Sequence, residues 1–372
     1  MSRTVHVVCL DAPAPPDYGG AQDMYHKVVA LAEAGCAVHL HYFAYRPGRD
    51  AAPLAPYCRQ ITAYPRRTGP GGLSPRLPYI VSSRINAQLV QNLNRDDHPL
   101  LLEGLHCTGL LPFLENRQRP IVVRMHNDEE RYYHFLAKAE QNPLKKLYYS
   151  WESRRLKAYQ QRLDPALTYA CLSQRDVQTF RETYGLPHTV FLPSFLPWQT
   201  VSGPEGRGAY CLYHGNLEVA ENEKAAAWLV EEVFSKMELP LVIAGKGAGH
   251  RLQRLVRPHR HLRLVRDPSD SELETLLRDA HLHVLPSFNE TGVKLKLLHA
   301  LYSGKFCLTN EAGAAGSGLE GGLDIFRDAP SCIEQVQQLW ARPFTGTEKA
   351  QRATLLALYH NGTNAGKLIG LW

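Results

Sequence analysis

Residues 268–310 read PSDSELETLLRDAHLHVLPSFNETGVKLKLLHALYSGKFCLTN. Ser269 is a suitable helix N-cap, and Glu272, three positions on, forms a capping box at the start of a helical pattern. The short apolar run LHVLPS (282–287) is a strand, FNET a loop, Gly292 the opening of a second helix, and KFCLTN (305–310) the next strand. Strand–helix–strand alternation of this kind specifies a parallel sheet with helices on both faces. Two cations, Lys294 and Lys296, fall in or near the first turn of the second helix, where they oppose the helix dipole.

The same rhythm extends in both directions. In the second half, strands are expected at YCLYHG (210–215), LPLVIAG (239–245) and HLRLV (261–265). In the first half they are expected at TVHVVCL (4–10), AVHLHYF (37–43), ITAYP (61–65), PLLLEG (99–104), IVVRMH (121–126), LTYACLS (167–173) and TVFLP (189–193). AQDMYHKVVALAEAG (21–35) is helical. So is Glu221 to Met237, where Trp228, Leu229, Val233, Phe234 and Met237 recur at helical spacing. Two such series imply two Rossmann-like domains. The Pro- and Gly-rich stretch LPSFLPWQTVSGPEGRG (192–208) has no period and marks the boundary, giving domains of about 1–195 and 205–350. The final segment, 348–372, reads as a helix, a break near Asn361–Gly362 and a second short helix.

A chain of 372 residues is long enough for two domains with their own cores. Hydrophobic residues at 44% and charged residues at 21% are a soluble globular balance. No run approaches the roughly 18 apolar residues that span a bilayer, and MSRTVHVVCL lacks a signal-peptide layout, so a cytoplasmic location is expected. Eight cysteines stand singly, without CxxC or metal-ligand spacing, as reduced and mostly core thiols do. The net charge of +6 fits an anionic ligand or an anionic membrane surface. No nucleic-acid partner is expected.

Open parallel sheets bind ligands beyond the carboxyl ends of their strands, so those ends carry the candidate residues. Gly19 and Gly20 stand where the first strand's loop enters a helix. Glycines there admit an anion to backbone amides, or simply make a tight turn. His126 closes a buried strand, placed to hydrogen-bond a sugar hydroxyl or a developing charge, or to serve as a structural histidine. Glu103 and His106, at another strand end, are read as structural. Gly215 and Asn216 form the turn after the first strand of the second domain. IAGKGAG (243–249) lacks GxGxxG spacing, but its Lys246 can reach a phosphate. Asp96 and Asp97 read as surface, and no DxD-type metal site is found. A diphosphate would answer the two lysines, taking helix-end amides and an ammonium together. Residues two apart on a helix point about 200° apart, so Lys294 is favoured as the ligand-facing one and Lys296 is read as surface.

Four stretches in order, PPDYGGAQ with ALAEAGCAVHLHYF, VRMHN, LYHGNLEVAENEKAAAWL, and 268–310, give the chain a resemblance to the GT-B glycosyltransferases, in particular the retaining glycosyltransferase family 4, or group 1. The resemblance implies an α/β GT-B fold, two Rossmann-like parallel-sheet domains facing a central cleft, with the C-terminal segment crossing back to the first domain. It implies retaining, metal-independent transfer of a hexose-type sugar from a nucleotide-diphospho-sugar to a glycan or lipid-linked acceptor, as in polysaccharide biosynthesis, with no cofactor. By the same resemblance Gly19 and Gly20 pack near the donor diphosphate, His126 contacts the transferred sugar, and Lys294 is the donor-loop lysine ahead of Lys296. Asn289, Glu290 and Thr291 occupy the acidic loop that holds sugar hydroxyls, Gly292 after them is a further donor-binding position, and Arg266 and Asp267 lie where the nucleobase is seated. His126, Lys294 and Glu290 are the expected catalytic residues.

The chain departs from that pattern at two places. The family's two glutamates, eight positions apart, align with Thr291 and His299, although Glu290 adjoins the first. Arg and Lys are replaced by Asn216 and Asn222, which throws weight onto Lys246, Lys294 and Lys296. A nucleotide-sugar 2-epimerase, a phosphorylase and a catalytically inactive binding module of the same fold are the alternative readings. Finally, KKLYYSWESRRLKAYQQR (145–162) mixes cations and aromatic residues on a helix. It is either an ordinary amphipathic helix or a peripheral contact with the anionic inner face of a membrane.

Overall fold

The computed structural model describes residues 3–289 and 292–372. The chain divides into two compact units, residues 1–197 with 359–372, and residues 198–358. The first unit is built on seven parallel strands: β1 (Thr4–Cys9), β2 (Ala37–Ala44), β3 (Cys58–Pro65), β4 (Leu100–Glu103), β5 (Ile121–Met125), β6 (Thr168–Cys171) and β7 (Thr189–Phe191). Their order is β3-β2-β1-β4-β5-β6-β7. The second has six parallel strands: β8 (Cys211–His214), β9 (Leu241–Gly245), β10 (Leu262–Arg266), β11 (Leu282–Leu285), β12 (Phe306–Asn310) and β13 (Asp324–Phe326), ordered β10-β9-β8-β11-β12-β13. Each is a doubly wound sheet whose order reverses beside its first strand, the point where such sheets receive ligands.

Alternation along β1 divides the core of the first unit. Val5, Val7 and Cys9 point to the face covered by helix α1 (Gly19–Glu33) and by the helix Asn361–Ile369, whereas Val8 joins the opposite cluster with Leu100, Leu102, Val123 and Met125. Ala365 and Leu368 of the terminal helix share one cluster with Met24, Val28 and Leu31 of α1. In the second unit Leu212, Val242 and Ala244 pack on Leu276, Leu277 and Ala280 beside the helix Asp270–Asp279, which starts at the expected Ser269–Glu272 capping box.

Three expectations need correction. The helix expected to open at Gly292 begins at Leu295, with Lys294 as its N-cap, and Gly292 takes a left-handed φ of 67° that no helix start accepts. The helix expected over Glu221–Met237 is α-helical only over Ala220–Trp228, then widens to a π-turn (Leu229–Val233) and tightens to a 3-10 turn (Phe234–Lys236). Asp96 is not plain surface: it accepts hydrogen bonds from His6 Nε2 (3.0 and 3.2 Å) and stands 3.5 Å from the Arg119 guanidinium. The eight cysteines are free thiols, and all but Cys58 are buried. Among the described residues no helix is long and apolar enough to cross a membrane.

Candidate functional site

The carboxyl edge of the first sheet holds a buried charge network. Lys27, on α1, donates to Asp23 (2.8 Å) one turn earlier and to both oxygens of Glu103 (2.6 and 2.9 Å) at the end of β4. Arg124, on β5, donates to both oxygens of Asp23 (3.1 and 3.0 Å) and to the Leu192 and Pro193 carbonyls (2.5 and 2.9 Å). His126 Nε2 is 2.9 Å from Glu103 Oε2. Two carboxylates and two cations balance, so the network is stable as ion pairs. Burial alone would raise the Glu103 carboxyl, but the Lys27 ammonium and the His126 hydrogen bond outweigh it and hold it below its usual value. Asp23, Glu103 and His126 bring potential metal-ligand atoms within 4.8 Å of one another. Lys27 and Arg124 already pair with those carboxylates.

With Glu103 ionised, Nε2 of His126 is the donor and Nδ1 is left as an acceptor. That Nδ1 is buried and has no hydrogen-bond partner among the described residues. It points toward the first turn of α1, 3.8 Å from where a Cβ on Gly20 would stand. The same Cβ would press on the Tyr18 ring at 3.0 Å. No acidic residue lies in that turn, and Tyr18, at the N-cap, caps no amide with its side chain. Gly20 and His126 are therefore brought together, while Gly19 is exposed. Glu103 is not merely structural filling: it fixes the tautomer of His126.

In the second unit the loops after β8, β9 and β10 close on one another. A Cβ on Gly245 would stand 1.9 Å from the Gly215 carbonyl oxygen, so glycine is required for this approach. Gly247 N donates to Asp267 Oδ1 (2.9 Å), and Asp267 itself is left-handed, with φ 48°. Lys246, Asn216, Arg266 and Asp267 are exposed along this edge.

Lys296 is the larger correction. It is not a surface residue: its Nζ donates to the Tyr213 hydroxyl (3.0 Å) and to Asn222 Oδ1 (2.9 Å), and lies 4.7 Å from the centre of the Tyr213 ring. Burial, then the charge of Lys294, lower its pKa to about 8. The ammonium thus arrives at Asn222, one of the two positions where the resemblance leads one to expect a cation. Lys294 Nζ is 3.3 Å from the Gly292 carbonyl oxygen, outside the helix. Asn289 donates from Nδ2 to Glu221 (2.9 Å). His299, aligned with the second family glutamate, has Nε2 2.8 Å from Glu274 and its ring stacked on Trp198 at 4.2 Å. Glu290 and Thr291 lie outside the described residues. Tyr213, Glu274 and Trp198 were not singled out in the sequence, and only the β8 strand end hinted at Tyr213. Asp23, Lys27 and Arg124 gave no local signal at all.

Residues 208–342, most of the second unit, match the family model described as Glycosyl transferases group 1. Its two Rossmann-like parallel-sheet units have the GT-B fold. The chain is 26% identical over 343 residues, 86% of either sequence, to an uncharacterized 44.6 kDa protein in the cps region of Klebsiella pneumoniae. In fold it is similar to sucrose-phosphate synthase from Thermosynechococcus elongatus, at 17% identity and a TM-score of 0.67, over 99% of this chain and 98% of that one. It is also similar to HepE of Anabaena in complex with UDP and glucose, at 11% identity and a TM-score of 0.64, over 98% of each chain.

Proposed function

We propose that this chain transfers a hexose-type sugar, with retention, from a nucleotide-diphospho-sugar to a glycan or lipid-linked acceptor. The observation that carries the reading is Lys296. Its ammonium is largely buried beside the mouth of the helix Leu295–Ser303, which has no acid in its first turn. Both its hydrogen-bond acceptors are uncharged, and among the described residues it forms no ion pair. A largely buried cation that Glu221 offsets only from beyond ion-pair distance is costly unless an anion arrives to meet it. A diphosphate is such an anion, and helix-end amides add to the attraction.

The hard step is departure of the nucleoside diphosphate from the anomeric carbon, which leaves an oxocarbenium-like sugar. Charge grows on the departing phosphate, and a preorganised ammonium with oriented N–H groups stabilises it. Lys296, with Lys294 and Lys246 nearby in sequence or on the same edge, fills the role a divalent ion would otherwise take. Nδ1 of His126 accepts a hydrogen bond from a hydroxyl of the transferred sugar, and Glu103 holds it in that tautomer. The departing phosphate takes the acceptor hydroxyl's proton as that oxygen bonds to the anomeric carbon.

A peripheral membrane contact belongs to the same reading. On the helix Pro143–Gln160, Leu144, Leu147 and Trp151 are 77%, 69% and 46% exposed, a stripe at i, i+3 and i+7. Lys145, Lys146 and Arg154 flank it. Apolar side chains bordered by cations suit an anionic bilayer surface, where lipid-linked acceptors reside.

Thermal shifts with UDP, GDP, dTDP and ADP, and with their sugars, test the donor side. One responsive nucleotide is expected, its stabilisation growing with concentration, and weakened in Lys296→Gln. If none stabilises the chain, the reading fails.

A further inference from the structure

The carboxyl ends of β3, β2, β1 and β4 are adjacent in the first sheet, and basic or aromatic residues follow three of them. Arg66 follows β3, Tyr45 and Arg46 follow β2, and His106 lies just beyond β4. Arg84 reaches the same edge from a separate turn, donating to the Leu10 carbonyl (2.7 Å) just past β1 and to the Ile80 carbonyl (2.8 Å). The guanidinium groups of Arg46, Arg66 and Arg84 lie 5.3, 4.5 and 5.5 Å from the centre of one ring, that of Tyr45.

Counter-charge is scarce here. Asp11 stands 3.4 Å from Arg46, but it is shared with Arg49 (3.7 Å) and accepts from the Tyr18 hydroxyl (3.1 Å). Arg66 is held only by Ser83 Oγ (3.1 Å) and by the faces of Tyr45 and Tyr79, and neither it nor Arg84 forms an ion pair among the described residues. Nδ1 of His106 is buried without a hydrogen-bond partner among those residues. Burial, Arg84, His126 and Arg66 together hold that imidazole well below its ordinary pKa, so it faces the cluster neutral. Three guanidinium groups gathered on aromatic faces repel one another until an oxyanion binds, and their fork geometry matches phosphate and carboxylate.

We propose that this cluster is a subsite for an anionic group, a phosphate or a sugar carboxylate, carried by the acceptor. Calling the ligand the acceptor rests on the transferase reading, whereas the anion binding itself does not. The shared chemistry has two sources, a lipid-linked phosphate or an acidic sugar. Farnesyl diphosphate and methyl β-glucuronide represent them, with farnesol and methyl β-glucoside as neutral counterparts.

Calorimetry on the full chain at low salt is expected to show one charged probe binding and its neutral counterpart not. Arg66→Gln weakens that binding at least tenfold, and Arg66→Lys recovers part of it. Arg46→Gln, at an exposed position, gives a similar loss, so a folding defect in one variant does not decide the matter. Binding of the responsive nucleoside diphosphate is unchanged in both Gln variants. The subsite is overturned if charged and neutral probes bind alike, or if both Gln variants bind the charged probe as the wild type does. Failure of every nucleoside diphosphate to bind the wild type would instead remove the transferase reading and leave the anion subsite standing.

Discussion

Lys296 titrates in a range where its two roles pull in opposite directions. With a folded pKa of about 8 against roughly 10.4 for an unfolded lysine, the unfolded chain binds more protons between those values. The free protein therefore gains stability from this group as pH rises through that window. Diphosphate binding needs the ammonium, so nucleoside-diphosphate affinity should fall as pH rises through about 8. Lys296→Gln should lower affinity at pH 7 by about 1.5–3 kcal/mol, the range for a charge-assisted hydrogen bond, and flatten the profile between pH 7 and 9. Calorimetry across that range checks both effects, and a pH step that survives in the variant would assign it to another group. Lys27 makes a separate point about stability. It pairs with two buried carboxylates at once, so Lys27→Met should cost about 3–5 kcal/mol in urea unfolding, as removal of one partner from a buried ion pair does. A loss below 1 kcal/mol would mean that water enters the network.

At the scale of elements, the apolar stripe on the helix Pro143–Gln160 separates membrane docking from fold stability. Leu147 is 69% exposed, so Leu147→Glu should leave the melting temperature nearly unchanged. It should nevertheless abolish flotation with phosphatidylglycerol vesicles at low salt, because docking would bury that side chain, worth about 1.5–3 kcal/mol. Wild-type protein that stays at the bottom of the gradient removes the membrane contact. What the sequence disclosed about elements follows from how local each signal is. The capping box at Ser269, the β1 to β12 strand runs and the β8–α turn are written in a few adjacent residues, and they appear where expected. β13 opens on an exposed aspartate and has two apolar residues, Ile325 and Phe326, so it shows no apolar run. The choice of Lys294 over Lys296 assumed a helix already running from Gly292. With the helix starting at Leu295, Lys294 is outside it, and the 200° separation does not apply. The network of Asp23, Lys27, Glu103 and Arg124 joins three distant elements, so no window of sequence contains it.

At the scale of the molecule, the C-terminal helix binds the ends of the chain to the first unit. Ala365 and Leu368 complete the cluster formed by Met24, Val28 and Leu31. Asn361 exchanges two hydrogen bonds with the Leu196 backbone (3.0 and 2.8 Å), and Arg3 donates to the Ile369 carbonyl (2.9 Å). The groups assigned to the donor diphosphate belong to the second unit and make none of these contacts. A variant ending at His360 should therefore weaken the first unit selectively. Leu368 alone accounts for about 1.5–3 kcal/mol of burial, and each lost hydrogen bond for about 1 kcal/mol. At roughly 2–4 °C per kcal/mol for a unit of about this size, these losses, about 4.5–6 kcal/mol together, should lower the transition of the first unit by ~9–24 °C. The responsive nucleoside diphosphate should still bind with wild-type affinity and still raise the transition of the second unit. Calorimetric melting with and without nucleotide reads the two effects separately. An unchanged first transition would show that the terminal helix adds little to the core it covers, and a variant that no longer binds nucleotide would show that the second unit depends on the first for its donor site.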